Sequence, residues 1–514
     1  MNAIDLQSWL SRARATPVYQ VAQRSPLDYC PGLSRSLGRR VWLKREDLQP
    51  TYSFKLRGAY AMIAGLVGSG VRHVCAASAG NHAQGVALAA ERLGIQATVF
   101  MPRTTPPIKV DAVTRLGAQV ELTGDTFDQA CGKATAFAQD TGATFVHPFD
   151  HPDVIAGQGT VGIEILEQCE RPPARVFVPV GGGGLIAGLG ACIKAQAPGV
   201  RIIAVECDEA PSIGHALRAG RPIEAPTAGS FADGIAVSVM GRHTFELASS
   251  VVDEVISVTG NQICAAVRDV YTECRAILEP AGATAIAGMQ AYGGGEVDED
   301  WVAVASGANV NFDRLGHIVE RAELGAGREV LLAARIPEQA GEFLRFCRRV
   351  GPHPVTEFNY RYGDRNQAQV LVGVKIDPAG ADQLRSRLAE SYAIVDLTGD
   401  ETAHNHVRHM IGGRPALPAP ERVFRFEFPE RRGALLEFLT RLRGRWSISL
   451  FHYRNHGSSF GQVLAGFLVQ DEDQRAFRRF LDTTGYTYSD VSDSPAYRLF
   501  SAPLATPRET EPVS

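Results

Sequence analysis

The sequence predicts an α/β region followed by two ferredoxin-like α+β repeats, and three observations carry that expectation. Between about residues 40 and 310, short β-branched runs alternate with longer segments that are apolar at three- and four-residue spacing. This is the pattern of βαβ units around a mostly parallel sheet. Beyond residue 329 the chain repeats itself at an offset of 92 or 93 residues. Finally, 514 residues are too many for one hydrophobic core.

The strand candidates, in order, are 40–44, 72–77, 97–101, 175–180, 201–205 and 301–305, short runs that carry Val, Ile or aromatic residues. Helical spacing runs over Ala83 to Leu93, Ile186 to Ala195 and Asn261 to Leu278. Roughly 270 residues exceed one doubly wound unit, so two sheets are expected. A further helix, Phe312 to Leu324, leads out of this region. The repeats show in three blocks. Ile336-Pro337-Glu338-Gln339-Ala340-Gly341 is echoed by Phe428-Pro429-Glu430-Arg431-Arg432-Gly433. Phe358-Asn359-Tyr360-Arg361 is echoed by Phe451-His452-Tyr453-Arg454, and Gln369 to Gly373 by Gln462 to Gly466. Each unit reads strand, turn, helix, strand, strand, helix, strand, the ferredoxin-like order. The expected domains are 1–325, 329–411 and 421–500, with a Gly/Pro-rich linker at 412–420 and a polar, disordered tail at 501–514.

Composition excludes several classes of function. A net charge of −4 offers no basic face to nucleic acid and no polybasic membrane anchor. The nine cysteines are scattered without a C-x-x-C pair, which suits a reducing cytosol and neither a disulfide nor a zinc framework. Asp5 and Gln7 interrupt the start where a signal peptide needs an apolar core, and no run reaches 18 apolar residues. A soluble, cytoplasmic protein is expected.

Four short motifs carry chemistry. Lys55 lies between Phe54 and Leu56 in Ser53-Phe54-Lys55-Leu56-Arg57-Gly58-Ala59-Tyr60, where desolvation would lower its pKa and free the amine to form a Schiff base. Ser78-Ala79-Gly80-Asn81-His82-Ala83-Gln84-Gly85 follows a strand and opens a helix, the place where an open α/β sheet holds its ligand. Asn81 there is either a directional amide or a helix cap. Gly181-Gly182-Gly183-Gly184-Leu185 also joins a strand to a helix, so that backbone N–H groups can cradle a phosphate. Ser306, in Ser306-Gly307-Ala308-Asn309 at another strand end, is a hydrogen-bond partner for a ligand or a plain loop serine. Together the four meet the needs of pyridoxal 5′-phosphate: an amine for its aldehyde, a cradle for its phosphate, an amide for its ring oxygen and a hydroxyl for its ring nitrogen.

With these motifs in place, from about Thr16 to Phe500, the chain resembles the fold-type II pyridoxal-phosphate enzymes, and within them the biosynthetic threonine dehydratases. Phe231-Ala232-Asp233-Gly234-Ile235-Ala236-Val237 and Glu279-Pro280-Ala281-Gly282-Ala283 add to the likeness, and the paired repeats resemble the ACT-like regulatory domains of that branch. The resemblance implies dehydration and deamination of L-threonine, and of L-serine, with Lys55 as catalytic residue. It implies cofactor contacts from Phe54, Lys55, Asn81, Gly181, Gly182, Gly183, Gly184, Leu185 and Ser306. Ser78, Ala79, Gly80 and His82 would hold the substrate. It further implies isoleucine as feedback inhibitor opposed by valine, Tyr360 and Tyr453 as effector-site residues, and a homotetramer. Tyr52 stands where many relatives have a small residue. Glu206, Ala210 and Ser212 have the spacing that some dehydratases and racemases use for a cation, yet Glu206 reads equally as a strand-end carboxylate, and no metal is expected.

Overall fold

The computed structural model describes residues 4–225, 231–337, 342–351, 353, 355–362, 367–407, 420–429, 437–438, 441–442, 445–454 and 460–500. The linker expected at 412–420 lies outside them apart from Pro420, and so does the tail at 501–514. Two compact units result, residues 1–325 and 326–514.

In the first unit the strands are β1 (Leu27–Tyr29), β2 (Arg40–Arg45), β3 (His73–Ala77), β4 (Gln96–Met101), β5 (Gln119–Leu122), β6 (Thr144–Phe145), β7 (Arg175–Pro179), β8 (Arg201–Cys207), β9 (Glu254–Val258) and β10 (Asp300–Ala305). They form two sheets, ordered β1-β2-β10-β7-β8-β9 and β5-β4-β3-β6, parallel throughout except for β1. Two largely parallel sheets are what the strand–helix alternation implies. The central strand β7 is buried at every position, as a strand covered on both faces must be.

One helix is shorter than its spacing suggests. The helix expected from Asn261 to Leu278 runs Gly260–Cys274 instead. Arg275 turns into the left-handed region at φ 58°, and its guanidinium donates to the carbonyls of Tyr271 and Thr272, ending the helix four residues early.

Behind the helix Lys55–Gly68 lies a buried ion network. Arg57 donates to Glu46 at 2.8 Å and to Glu164 at 2.6 Å, while Lys44 meets Glu164 at 2.6 Å; all four side chains are sealed from solvent. Two cations offset two carboxylates, the condition under which burial of charge is tolerated. Burial alone would raise the pKa of Glu46, but Arg57 and Lys44 reverse the shift and hold it below the usual carboxylate range.

The second unit holds β11 (Glu329–Pro337), β12 (Val355–Tyr362), β13 (Gln367–Lys375) and β14 (Ala393–Asp396), then β15 (Glu421–Pro429), β16 (Ser447–Arg454), β17 (Phe460–Leu468) and β18 (Thr487–Asp490). Their antiparallel orders, β12-β13-β11-β14 and β16-β17-β15-β18, are the same topology twice, ferredoxin-like as the repeats predict. In the first repeat Leu332, Ala334 and Ile336 face the core with Phe346 and Leu384. The opposite face, Leu331 and Ala333, packs with Ala403, Val407 and Ala496, the last of these from the second repeat.

Candidate functional site

A cavity in the first unit is lined by residues from seven separate stretches, among them Phe54, Lys55, Asn81, the loop Gly181 to Leu185, Glu279 and Ser306. Lys55 opens the helix Lys55–Gly68, and the segment ahead of it is tied to the end of β10. The Phe54 N–H donates to the Ser306 carbonyl at 3.2 Å, and Ser53 bridges to Gly307. The lysine and the serine therefore line one space because the two residues ahead of Lys55 are bonded to the backbone of Ser306 and Gly307. Lys55 Nζ donates to the Pro148 carbonyl at 3.0 Å. Burial lowers its pKa to about 8, and Glu279 counters that only in part. Just upstream, Tyr52 holds a left-handed backbone at φ 54°, a conformation that costs a non-glycine residue about 1–2 kcal/mol, and its side chain is mostly exposed.

The glycine loop runs from the end of β7 into the helix Gly184–Gln196, whose first N–H groups have no partner within the helix. Small residues are obligatory here. A Cβ on Gly182 would overlap the Phe149 ring, and Gly183 sits at φ 90°. Ser212 Oγ donates to the Gly181 carbonyl at 2.9 Å and Thr244 Oγ1 to that of Gly182 at 2.7 Å. With those oxygens tied down, the helix terminus presents its positive end to an anion.

Asn81 is the first residue of the helix Asn81–Leu93; Gly80 takes the cap position, so the amide of Asn81 is not used as a cap. Its Nδ2 donates to Glu279 at 2.5 Å, and its Oδ1 accepts from Asn309 at 2.7 Å. Glu279 is buried, and desolvation raises its pKa despite the bond from Asn81.

Ser78, Ala79 and Gly80 occupy the loop between β3 and that helix and do not line the cavity with the others. His82 is likewise not among the residues that line the cavity. It is 3% exposed, its Nε2 donates to the Val146 carbonyl at 2.9 Å, and burial followed by the nearby Lys55 charge pushes its pKa down to about 3. Its side chain is thus neutral, and its Nδ1, buried as well, has no hydrogen-bond partner among the described residues. Glu206 accepts from the N–H groups of Ile213 and Gly214, both at 3.1 Å, and so caps the helix Ser212–Ala219, the strand-end role open to it in the sequence. Tyr360 and Tyr453 lie at matching positions of β12 and β16, opposite Val370 and Val463; their side chains are outside the described residues.

Sequence reasoning assigned no role to Glu279, Phe149 or Asn309. Glu279 stands in a quoted motif, and a carboxylate ahead of Pro280 at a helix start was the available signal.

A buried amine of lowered pKa, a cradle with no room for side chains, a fixed amide and a buried hydroxyl fit a phosphorylated aldehyde with a heteroaromatic ring. Comparison with known proteins agrees. Residues 18–307 match the family described as "Pyridoxal-phosphate dependent enzyme", and residues 320–407 and 412–500 match "C-terminal regulatory domain of Threonine dehydratase". The chain is 49% identical over 498 residues to L-threonine dehydratase biosynthetic IlvA of Pasteurella multocida, covering 96% of this chain and 97% of that one. It is 47% identical over 501 residues to the Escherichia coli protein of the same name, with the same coverage of each. Among solved structures it is similar to the processed form of threonine deaminase isoform 2 from Solanum lycopersicum, at 46% identity and a TM-score of 0.60 over 62% of this chain and 93% of that one. With sequence, fold and cavity in agreement, the chain belongs to the biosynthetic threonine dehydratases, the pyridoxal-phosphate-dependent threonine ammonia-lyases.

Proposed function

We propose that the protein converts L-threonine to 2-oxobutanoate and ammonia, and L-serine to pyruvate and ammonia, as the first step of isoleucine synthesis in the cytoplasm. The observation that carries this reading is Lys55, an amine held near pKa 8 in a cavity that ends in the glycine cradle.

When bound, the cofactor supplies an electron sink for the pair left behind at the substrate's Cα. Lys55 has two tasks, holding the cofactor at rest and then, released by the incoming amino acid, taking the Cα proton on Nζ. A lowered pKa suits the second task, because a base must be neutral before it can accept. Gly181 to Leu185 hold the phosphate, Phe54 lies beside the cofactor, and Asn81 donates to the ring oxygen. Ser306 offers a neutral hydroxyl to the ring nitrogen and cannot keep it protonated as a carboxylate would, which favours prompt loss of the β-substituent. Ser78, Ala79, Gly80 and His82 meet the substrate carboxylate through backbone amides and the Ser78 hydroxyl. The β-hydroxyl departs as water, and one water is taken up again when the nitrogen is released as ammonia.

The C-terminal repeats serve regulation, with isoleucine favouring a low-affinity state of the catalytic part, valine opposing it, and Tyr360 and Tyr453 near the effector. A homotetramer is the assembly this reading assigns. The test is an assay for 2-oxobutanoate from L-threonine, with and without isoleucine, on the full chain and on residues 1–325. Isoleucine-sensitive turnover in the full chain and insensitive turnover in the fragment are expected. D-serine as the product from L-serine, or no keto acid at all, overturns the activity.

A further inference from the structure

We infer that Phe149 is the wall against which the β-methyl group of threonine packs, so that this side chain sets the preference for threonine over serine. The inference rests on the activity proposed above and names what decides between its two substrates.

Phe149 stands between the base and the glycine cradle. The residue before it, Pro148, accepts from Lys55 Nζ at 3.0 Å through its carbonyl. Its own ring lies against Gly182, and its Cβ packs over Gly184, where an added Cβ would stand 3.0 Å away. Among the described residues that line the cavity, Pro179, Leu185, Ile235 and Ala281 are buried, whereas Phe54 and Phe149 keep accessible surface. Phe54 has its ring beside the Lys55 amine, with Nζ 5.4 Å from the centroid, and lies with the cofactor. The surface of Phe149 is apolar lining that the cofactor contacts leave unused.

The ring is held rather than loose. His147 Nδ1 accepts from the N–H groups of Phe149 at 3.3 Å and of Asp150 at 2.8 Å. Burial pushes the His147 pKa down to about 4, so Nδ1 remains a bare acceptor at neutral pH. The two rings meet nearly edge to face, with centroids 4.7 Å apart. Asp150 in turn accepts from Arg242 and Thr244 N–H at the start of the helix Arg242–Val251, and Thr244 Oγ1 holds the Gly182 carbonyl. The wall and the cradle are thus clipped to one helix terminus.

Stereochemistry points the methyl group at this wall. The substrate Cα carries four groups, and the proposed activity assigns three of them. The nitrogen goes to the cofactor, the hydrogen to Lys55 and the carboxylate to the segment Ser78 to His82. The β-carbon takes the fourth direction, toward the side of the cavity that Phe149 and the cradle form. Threonine bears a methyl group there where serine bears hydrogen, so contact with the ring separates the two. One such group in an apolar pocket is worth about 10- to 200-fold in discrimination.

The test sets L-threonine and L-serine in competition for the holoenzyme of wild type, Phe149→Ala and Phe149→Leu, reading 2-oxobutanoate against pyruvate. The product ratio reports relative kcat/KM and is independent of how much of each variant holds cofactor. It should fall at least about tenfold in Phe149→Ala and by a smaller factor in Phe149→Leu. A second readout involves no turnover. L-2-aminobutanoate and L-alanine, the two substrates without their hydroxyl groups, are titrated against the cofactor's visible absorbance, and their affinity ratio should shift the same way. A side chain that served only to support the cradle would move both members of each pair alike. A wild-type ratio in either measurement, in both variants, overturns the inference and leaves the activity standing. A wild-type holoenzyme that yields no keto acid from either amino acid overturns the activity, and the inference with it.

Discussion

Asn81 donates from Nδ2 to Glu279 at 2.5 Å, and this bond, closed on the other side by Asn309 at 2.7 Å, fixes which way the amide faces. With its oxygen taken by Asn309, the second Nδ2 hydrogen is the group left for the cofactor. Were the amide reversed, an oxygen would confront an oxygen. Glu279→Ala and Asn309→Ala should each lower kcat roughly tenfold, the worth of about 1.4 kcal/mol, and shift the cofactor's visible absorbance. Glu279→Gln, which keeps an acceptor, should recover much of the loss. Spectra and turnover unchanged by either alanine would remove the orienting role.

The part of the site legible in the sequence is local. Lys55, Asn81 and the glycine loop each sit within one short stretch at a strand end, where the residue types alone state the chemistry. The Asn81–Glu279 bond spans 198 residues, and nothing in either stretch announces it. The early end of the helix at Cys274 was hidden for a similar reason, because it depends on Arg275 accepting a left-handed backbone and capping its own helix. The short strand β5, mostly exposed, and the two-residue β6 carry too little apolar pattern to be read at all.

The titration of Lys55 should be visible when cofactor is restored to the stripped enzyme. Its pKa is lowered to about 8, so the protonated amine prevails below that pH and attack on the aldehyde is suppressed. The rate of reloading should climb with pH up to about 8 and then level off. A rate still climbing at pH 10 would mean the amine is not desolvated.

The glycine cradle makes a steric prediction. Gly182→Ala pushes a methyl group into the Phe149 ring and should weaken cofactor retention roughly ten- to a hundredfold. Adding Phe149→Leu should restore part of it, as measured by dissociation of the cofactor during dialysis.

The buried network behind Lys55 should be sensitive to loss of one partner. Arg57→Met leaves Glu46 and Glu164 with Lys44 alone and should destabilise the catalytic unit by about 3–5 kcal/mol. Because Glu46 titrates below its unfolded value, its contribution is present at neutral pH and is lost as pH falls through its lowered folded pKa. Thermal melts of wild type and Arg57→Met between pH 7 and pH 3 should therefore converge on acidification. A constant gap in Tm would contradict the electrostatic origin.

The central claim is that one amine, on Lys55, carries the cofactor. Borohydride reduction of the holoenzyme, followed by digestion and mass spectrometry, tests it directly. A phosphopyridoxyl group on the peptide containing Lys55, absent from the Lys55→Ala protein, is the predicted result. The same group on another lysine, or a wild-type chain that stays unlabelled, would contradict it.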